Sequence, residues 1–194
     1  MNKKLVAALS GGAALVLSLT ACGGGGDDGK KKLDDWAKKV CDQMQPQVKK
    51  ITDANVAIAG IRNEQDSKKI KEGDSAAFQS IAEAYKALAT SVQQAGPPPG
   101  KDGETNQKNA VKALNDLSSA YTGLKQRIDK LDTGDQGKFG DGLNGIASDI
   151  LKLSNSSDDA LKKLQSGDVG KAMAQQHGCQ RPPSPAAPAT PSKS

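Results

Sequence analysis

The residues able to do chemistry are few and unevenly placed. Cysteines stand at 22, 41 and 179, and His177 is the only histidine in 194 residues. One imidazole excludes a histidine-rich metal site, a paired-histidine haem site and a zinc-protease motif within one chain. His177 is read as a solvated residue beside a helix end, and pairing it with Cys179 for nucleophilic catalysis would need that thiol free. The acid pairs Asp34-Asp35 and Asp158-Asp159 have the right types for general acid/base work. Both fall near expected helix starts, where negative charge complements the dipole, and that accounts for them. The run Asp132-Thr133-Gly134-Asp135-Gln136-Gly137, followed by Asp141, has part of a calcium loop's spacing. It departs from an EF-hand at the third and fifth positions, Gly134 and Gln136, and at the twelfth, where Leu143 replaces the bidentate Glu. Gly167-Asp168-Val169-Gly170-Lys171-Ala172 lacks the glycine spacing and the Ser/Thr of a phosphate loop and is better read as a helix start. No catalytic residue, metal ligand or cofactor is assigned, and the expectation is a protein that is not an enzyme.

The N-terminus is more specific. Met1-Asn2-Lys3-Lys4 precedes an apolar run over 5–19 and then Thr20-Ala21-Cys22. A basic n-region, a short apolar h-region and small residues before a cut are the layout of a secretory signal peptide. The run is also shorter than the roughly 20 predominantly apolar residues of a spanning helix. Leu19-Thr20-Ala21-Cys22 resembles the lipobox of bacterial lipoproteins. That resemblance implies cleavage between Ala21 and Cys22 and a diacylglyceryl group on Cys22. Each buried CH2 then contributes about 0.8 kcal/mol, so several acyl chains hold the chain on the extracytoplasmic face of the cell membrane. Residues 22–32, rich in glycine, carry little to bury and are expected as a flexible tether.

With Cys22 assigned to lipid, Cys41 and Cys179 remain in an exported chain, where disulfides form and persist. They are expected to pair, and closing so long a loop stabilises a fold by roughly 5 kcal/mol on the chain-entropy model. The formal charge is +5, and loss of Lys3 and Lys4 with the signal peptide lowers it to +3. Lysines alternate with acids along the chain, so no basic stripe supports a nucleic-acid partner. Trp36, Phe78, Tyr85, Tyr121 and Phe139 are spaced as core residues. Trp36 is read as a cap on the core near the disulfide.

Between 33 and 176 the apolar residues recur at helical steps with almost no strand signal. Leu33, Ala37, Val40, Met44, Val48, Ile51, Ile58 and Ile61 draw one stripe that stays in phase across Pro46, which predicts a kinked but continuous first helix. Phe78, Ile81, Tyr85, Leu88 and Val92 mark the second, with Asp74 as N-cap or Asp66 capping an earlier start through Gly73. It should stop at Gly96 before Pro97-Pro98-Pro99. Val111, Leu114, Leu117, Tyr121, Leu124, Ile128 and Leu131 give the most regular, third helix. After a turn at 133–137, Phe139, Leu143, Ile146, Ile150, Leu153, Leu161 and Leu164 mark a fourth, with a weak point near Ser156 and Asp159 where it could restart. Asp168 is placed as the cap of a short last helix closing at Gly178. Residues 180–194 form a proline-rich tail with nothing to build a core and are expected to be disordered.

The expected fold is therefore all-α: an up-down-up-down four-helix bundle over 33–179, with 1–21 as signal peptide and 22–32 as tether. In that topology Cys41, near the start of the first helix, and Cys179, after the fourth, lie at one end within disulfide reach. The opposite end presents the turns at 62–73 and 132–137. The lipobox and glycine run, Trp36 followed by Cys41, Tyr85-Lys86-Ala87-Leu88 leading to Gly96-Pro97-Pro98, and Gly178-Cys179 before a polar tail make the chain similar to the small secreted lipoproteins common in actinobacteria. The resemblance implies no catalytic residues. The leading functional expectation is a non-enzymatic, envelope-associated interaction domain whose partners are the membrane, through its anchor, and an envelope protein. The alternative is a carrier that holds a lipid or other apolar small ligand in the bundle interior.

Overall fold

The computed structural model describes residues 24–61, 63–156 and 162–180. Among the described residues every regular element is helical, as expected: α1 (Gly24–Ile61), α2 (Ser67–Ala95), α3 (Gly103–Asp129), α4 (Gln136–Ser156), α5 (Gly167–Ala174) and a closing 3-10 turn, His177–Cys179. Residues 162–164 are helical as well. No helix among the described residues is long and apolar enough to cross a membrane.

Residues 24–32, expected as a flexible tether, are instead the opening turns of α1. Once a helix is nucleated, each further residue adds one hydrogen bond for the two dihedrals it fixes. Lys31 also reaches forward one turn to Asp35, at 2.7 Å, so the ordered helix behind the glycines carries them along. Asp35 and its neighbour Asp34 consequently lie well inside α1 and not at its start. The same i,i+4 spacing recurs in Lys38–Asp42 and Lys49–Asp53, exposed pairs that contribute about 0.3–0.5 kcal/mol each. The helix runs through Pro46 without interruption.

The second helix takes the earlier of its two expected starts. Asp66 Oδ1 accepts from the backbone N–H of Lys68 at 2.9 Å and of Lys69 at 3.4 Å. Asp74, offered as an alternative cap, lies inside the helix and is only 9% exposed. Gly73 is accommodated because it faces Ile61, whose Cδ1 occupies the space a Cβ would need. The helix ends at Gly96, which takes a φ of 80° that favours glycine. The turn at 62–73 is thereby reduced, since 67–73 is helical.

Packing is fullest between α2 and α3 and next between α1 and α2, whereas α4 meets α3 over a shorter stretch. Side chains bridge the α2–α3 seam along its length. Gln107 Nε2 donates to Val92 O at 2.9 Å, Ser118 Oγ to Ala82 O at 2.8 Å and Lys71 Nζ to Leu131 O at 3.0 Å. The fourth wall, expected as one helix from Phe139 to Leu164, is divided. At one end Ile146 of α4 packs with Phe78, Leu124 and Ile128. At the other, Leu164, Ala172 and Met173 pack with Trp36, Val40, Cys41, Leu88 and Leu114. Leu161 and the Ser156/Asp159 restart point involve positions outside the residues whose side chains are described.

The two walls are held differently. Cys41 and Cys179 are joined by a disulfide with a Cα–Cα distance of 4.9 Å, as their pairing in the sequence predicted. Gly178 presses against the Cys41 carbonyl, leaving no room for a Cβ. Trp36, 7% exposed, belongs to the same cluster and donates from Nε1 to Gly96 O at 2.9 Å. The short helix has Ser166, not Asp168, at its cap position; Asp168 is in its first turn and pairs with Lys171 at 3.0 Å. It ends at Ala174, before Gly178. By contrast α4 is secured by the Arg127–Asp149 ion pair and by Leu131 resting on Gly142.

Candidate functional site

The divided fourth wall leaves an opening. Between the end of α1 and α4 lies an open cleft of about 690 Å³, walled by Ile58, Ala59 and Ile61 on one side and Leu143, Ala147, Ile150 and Leu151 on the other. Asp74, Phe78 and Tyr121, from α2 and α3, also line it. Each residue arrives by ordinary helical geometry. Ile70, Asp74 and Phe78 follow at steps of four on α2, so an Asp74 in the interior of that helix shares the apolar face. Leu143, Ile146 and Ile150 repeat at three and four on α4, and Leu151 at the rim is 68% exposed, unusual for a leucine.

An aromatic group closes the inner side. The Phe78 and Tyr121 rings have centroids 6.2 Å apart with planes tilted by 54°, and Tyr85 stacks on Tyr121 at 5.7 Å. Burial pushes the Tyr85 phenol up to about 12, with the neighbouring Tyr121 adding to the shift, and burial raises Tyr121 as well. Both phenols are therefore neutral in ordinary conditions. Asp74 is different in kind: its Oδ1 is buried without a hydrogen-bond partner. Burial raises its carboxyl above the usual range, because removing solvent penalises the charged form. Among the described residues lining the cleft, Asp74 is the only one that carries a charge in its ordinary ionisation state.

The other acids near this end are engaged. Asp129 accepts from Lys125 and from Ser75 Oγ, and these bonds hold its carboxyl below the usual range. Glu64 is lowered by the backbone N–H groups of Asp66 and Gln65. Asp135 is lowered chiefly by the backbone N–H of Lys138, which makes it the cap of α4. Asp132 Oδ1 accepts from Gly134 N at 2.9 Å. Of the residues that gave 132–141 part of a calcium-loop spacing, Asp132 and Asp135 shape the α3–α4 turn and Asp141 lies inside α4, and among the described residues no group of three or more His, Cys, Asp or Glu could hold a metal ion.

No protein-family model, curated protein or solved structure matches this chain. The remaining positions singled out in the sequence are placed as follows. Cys41 and Cys179 are brought together, and His177 is exposed in the 3-10 turn beside them. Gly167 begins α5, as a helix start and not a phosphate loop. Ala21, Cys22 and the Asp158-Asp159 pair lie outside the described residues. Sequence reasoning missed the cleft and with it Asp74, which it assigned to a cap. One signal was available: an acidic residue in phase with the Phe78, Ile81, Tyr85 stripe marks a charge on a face that must be buried.

Proposed function

We propose that this chain is a lipid-anchored, extracytoplasmic, non-enzymatic lipoprotein of the small secreted actinobacterial type. Its helices form an up-down-up-down bundle that carries a small apolar ligand. The anchor reading rests on the order of Lys3-Lys4, the apolar run and Leu19-Thr20-Ala21-Cys22. Bonding of Cys41 to Cys179 supports an oxidising compartment and leaves neither thiol as a nucleophile. The bundle reading is supported by the same bond, which ties α1 to the segment following α4.

Of the two functional expectations, the carrier is favoured by one observation, the cleft between α1 and α4. Its volume of about 690 Å³ falls within the range of about 300–1,000 Å³ typical of small-molecule sites, and its largely apolar walls with a few polar groups, Asp74, Asn55, Asn144 and Tyr121, match their usual composition. The ligand position differs from the original expectation: it lies at the side between two helices and not in a closed interior. Native mass spectrometry on protein extracted from its own membranes tests the whole reading. The expected species begins at Cys22, carries acyl chains and holds a further small molecule that is lost in Ala147→Trp, where an indole fills the cleft. A chain beginning at Met1 overturns the anchor, and a lipoprotein with nothing bound overturns the carrier.

A further inference from the structure

The carrier reading leaves open which chemical class the cleft selects, and Asp74 narrows it. A carboxylate in an apolar interior is costly unless it is paired. This one is nine-tenths buried, with an Oδ1 that has no partner, although lysines elsewhere on the molecule form many ion pairs at its surface. Lys71, three residues away on the same helix, is committed to Leu131 O. Nothing within the described protein neutralises Asp74, and it lines the cleft between α1 and α4.

Its surroundings add a second feature. Phe78 is one turn along α2, and Tyr121 packs beside it. A carboxylate that shares a cleft with aromatic rings suits an organic cation: the acid supplies charge and the rings, chiefly Tyr121 since Phe78 is 2% exposed, supply quadrupole attraction without hydrogen-bond demands. An anionic head group would meet Asp74 with repulsion, and a neutral one would leave the acid unpaired. Beyond the head position Ile58, Ile146 and Ile150 offer hydrocarbon, with Asn55 and Asn144 the other polar side chains besides Tyr121, so the rest of the ligand is largely apolar.

We propose, building on the carrier reading, that the cleft selects a small amphiphile with an ammonium head, which Asp74 pairs beside Phe78 and Tyr121 while the tail lies between α1 and α4. An amphipathic peptide presenting a lysine is a different occupant, and the test separates it.

Isothermal titration of the full, disulfide-bonded chain with monomeric octyltrimethylammonium, octanol and octyl sulfate compares three head groups on one tail. Octyltrimethylammonium is expected to bind about tenfold more tightly than octanol, corresponding to one buried ion pair with aromatic support, and octyl sulfate more weakly than both. In Asp74→Asn the ratio of ammonium to octanol affinity is expected to collapse towards unity. Circular dichroism confirms that this variant is folded. Equal affinities in the unmodified chain, or a ratio that survives in Asp74→Asn, overturn the head-group assignment while leaving the carrier standing. Failure of all three probes to bind overturns both. Binding of a lysine-bearing amphipathic peptide with no response to octyltrimethylammonium reassigns the cleft to a protein partner and also overturns the inference.

Discussion

Asp74 is a buried acid whose Oδ1 has no partner, an arrangement that costs the fold stability. Its carboxyl is raised by burial, so the folded chain binds the proton more tightly than the unfolded chain does. Stability is therefore fully present below the ordinary value of 3.8 and is lost as pH rises through the raised value. Asp129, Glu64 and Asp135 are lowered and act in the opposite direction, but they cancel when two variants are compared at each pH. Asp74→Asn is accordingly expected to raise stability by about 1 kcal/mol at pH 7, with the gain disappearing in acid. Urea unfolding at both pH values measures it, and a neutral or destabilising effect at pH 7 would show that the acid is paired in solution. This residue was not legible beforehand because Asp is a favoured cap, and local preference pointed to an end where tertiary burial had placed an interior. Trp36, whose bulk and position near Cys41 leave few alternatives to a core role, was legible.

At the scale of elements, periodicity identified every long helix, because a stripe at steps of three and four survives whatever the helix packs against. Ends were legible where a residue forces them, as at Gly96 with its following prolines. They were not where neighbouring helix extends order past weak formers, as through 24–32; at α2 two starts were open, and Ile61 fitting against Gly73 accompanies the earlier one, about two turns before Asp74. The division of the fourth wall was hidden for a different reason. Leu164 continues the apolar pattern of α4 in number but belongs to the cluster around Cys41, and periodicity does not report which cluster a residue joins. This joint makes a sharp prediction. Gly178→Ala places a methyl against the Cys41 carbonyl and is expected to cost about 1–3 kcal/mol of overpacking. In a Cys41→Ser/Cys179→Ser background, where the segment can move away, the same change should cost much less. Calorimetric melting of the four proteins tests this, and equal penalties in both backgrounds would mean that the covalent bond does not enforce the close approach.

The whole molecule combines a stapled end with a yielding one. Near Cys41 the segment after α4 is locked by sulfur and by the close approach of Gly178 to the Cys41 backbone, while Trp36 ties α1 to the end of α2 at Gly96. At the far end the Arg127–Asp149 ion pair and the apolar cluster around Phe78 and Ile146 hold α4, and its other side borders the cleft. Membrane attachment through Cys22, as proposed, would place the start of α1 towards the bilayer and the cleft at the far end of the molecule. The all-helical class and the meeting of the two cysteines were both readable from the sequence, since each follows from long-range constraints written in residue type. The cleft was not, because it arises from what α4 fails to cover, and periodicity reports only which face is apolar. Hydrogen exchange on the full chain, with and without the neutral probe Nile red, tests the account most directly. It predicts that amides of α4 exchange faster than those of α2 and α3 in the free protein, and that the probe slows α4 and the end of α1 selectively. Exchange in α4 as slow as in α2 and α3, with no change on adding the probe, would contradict it.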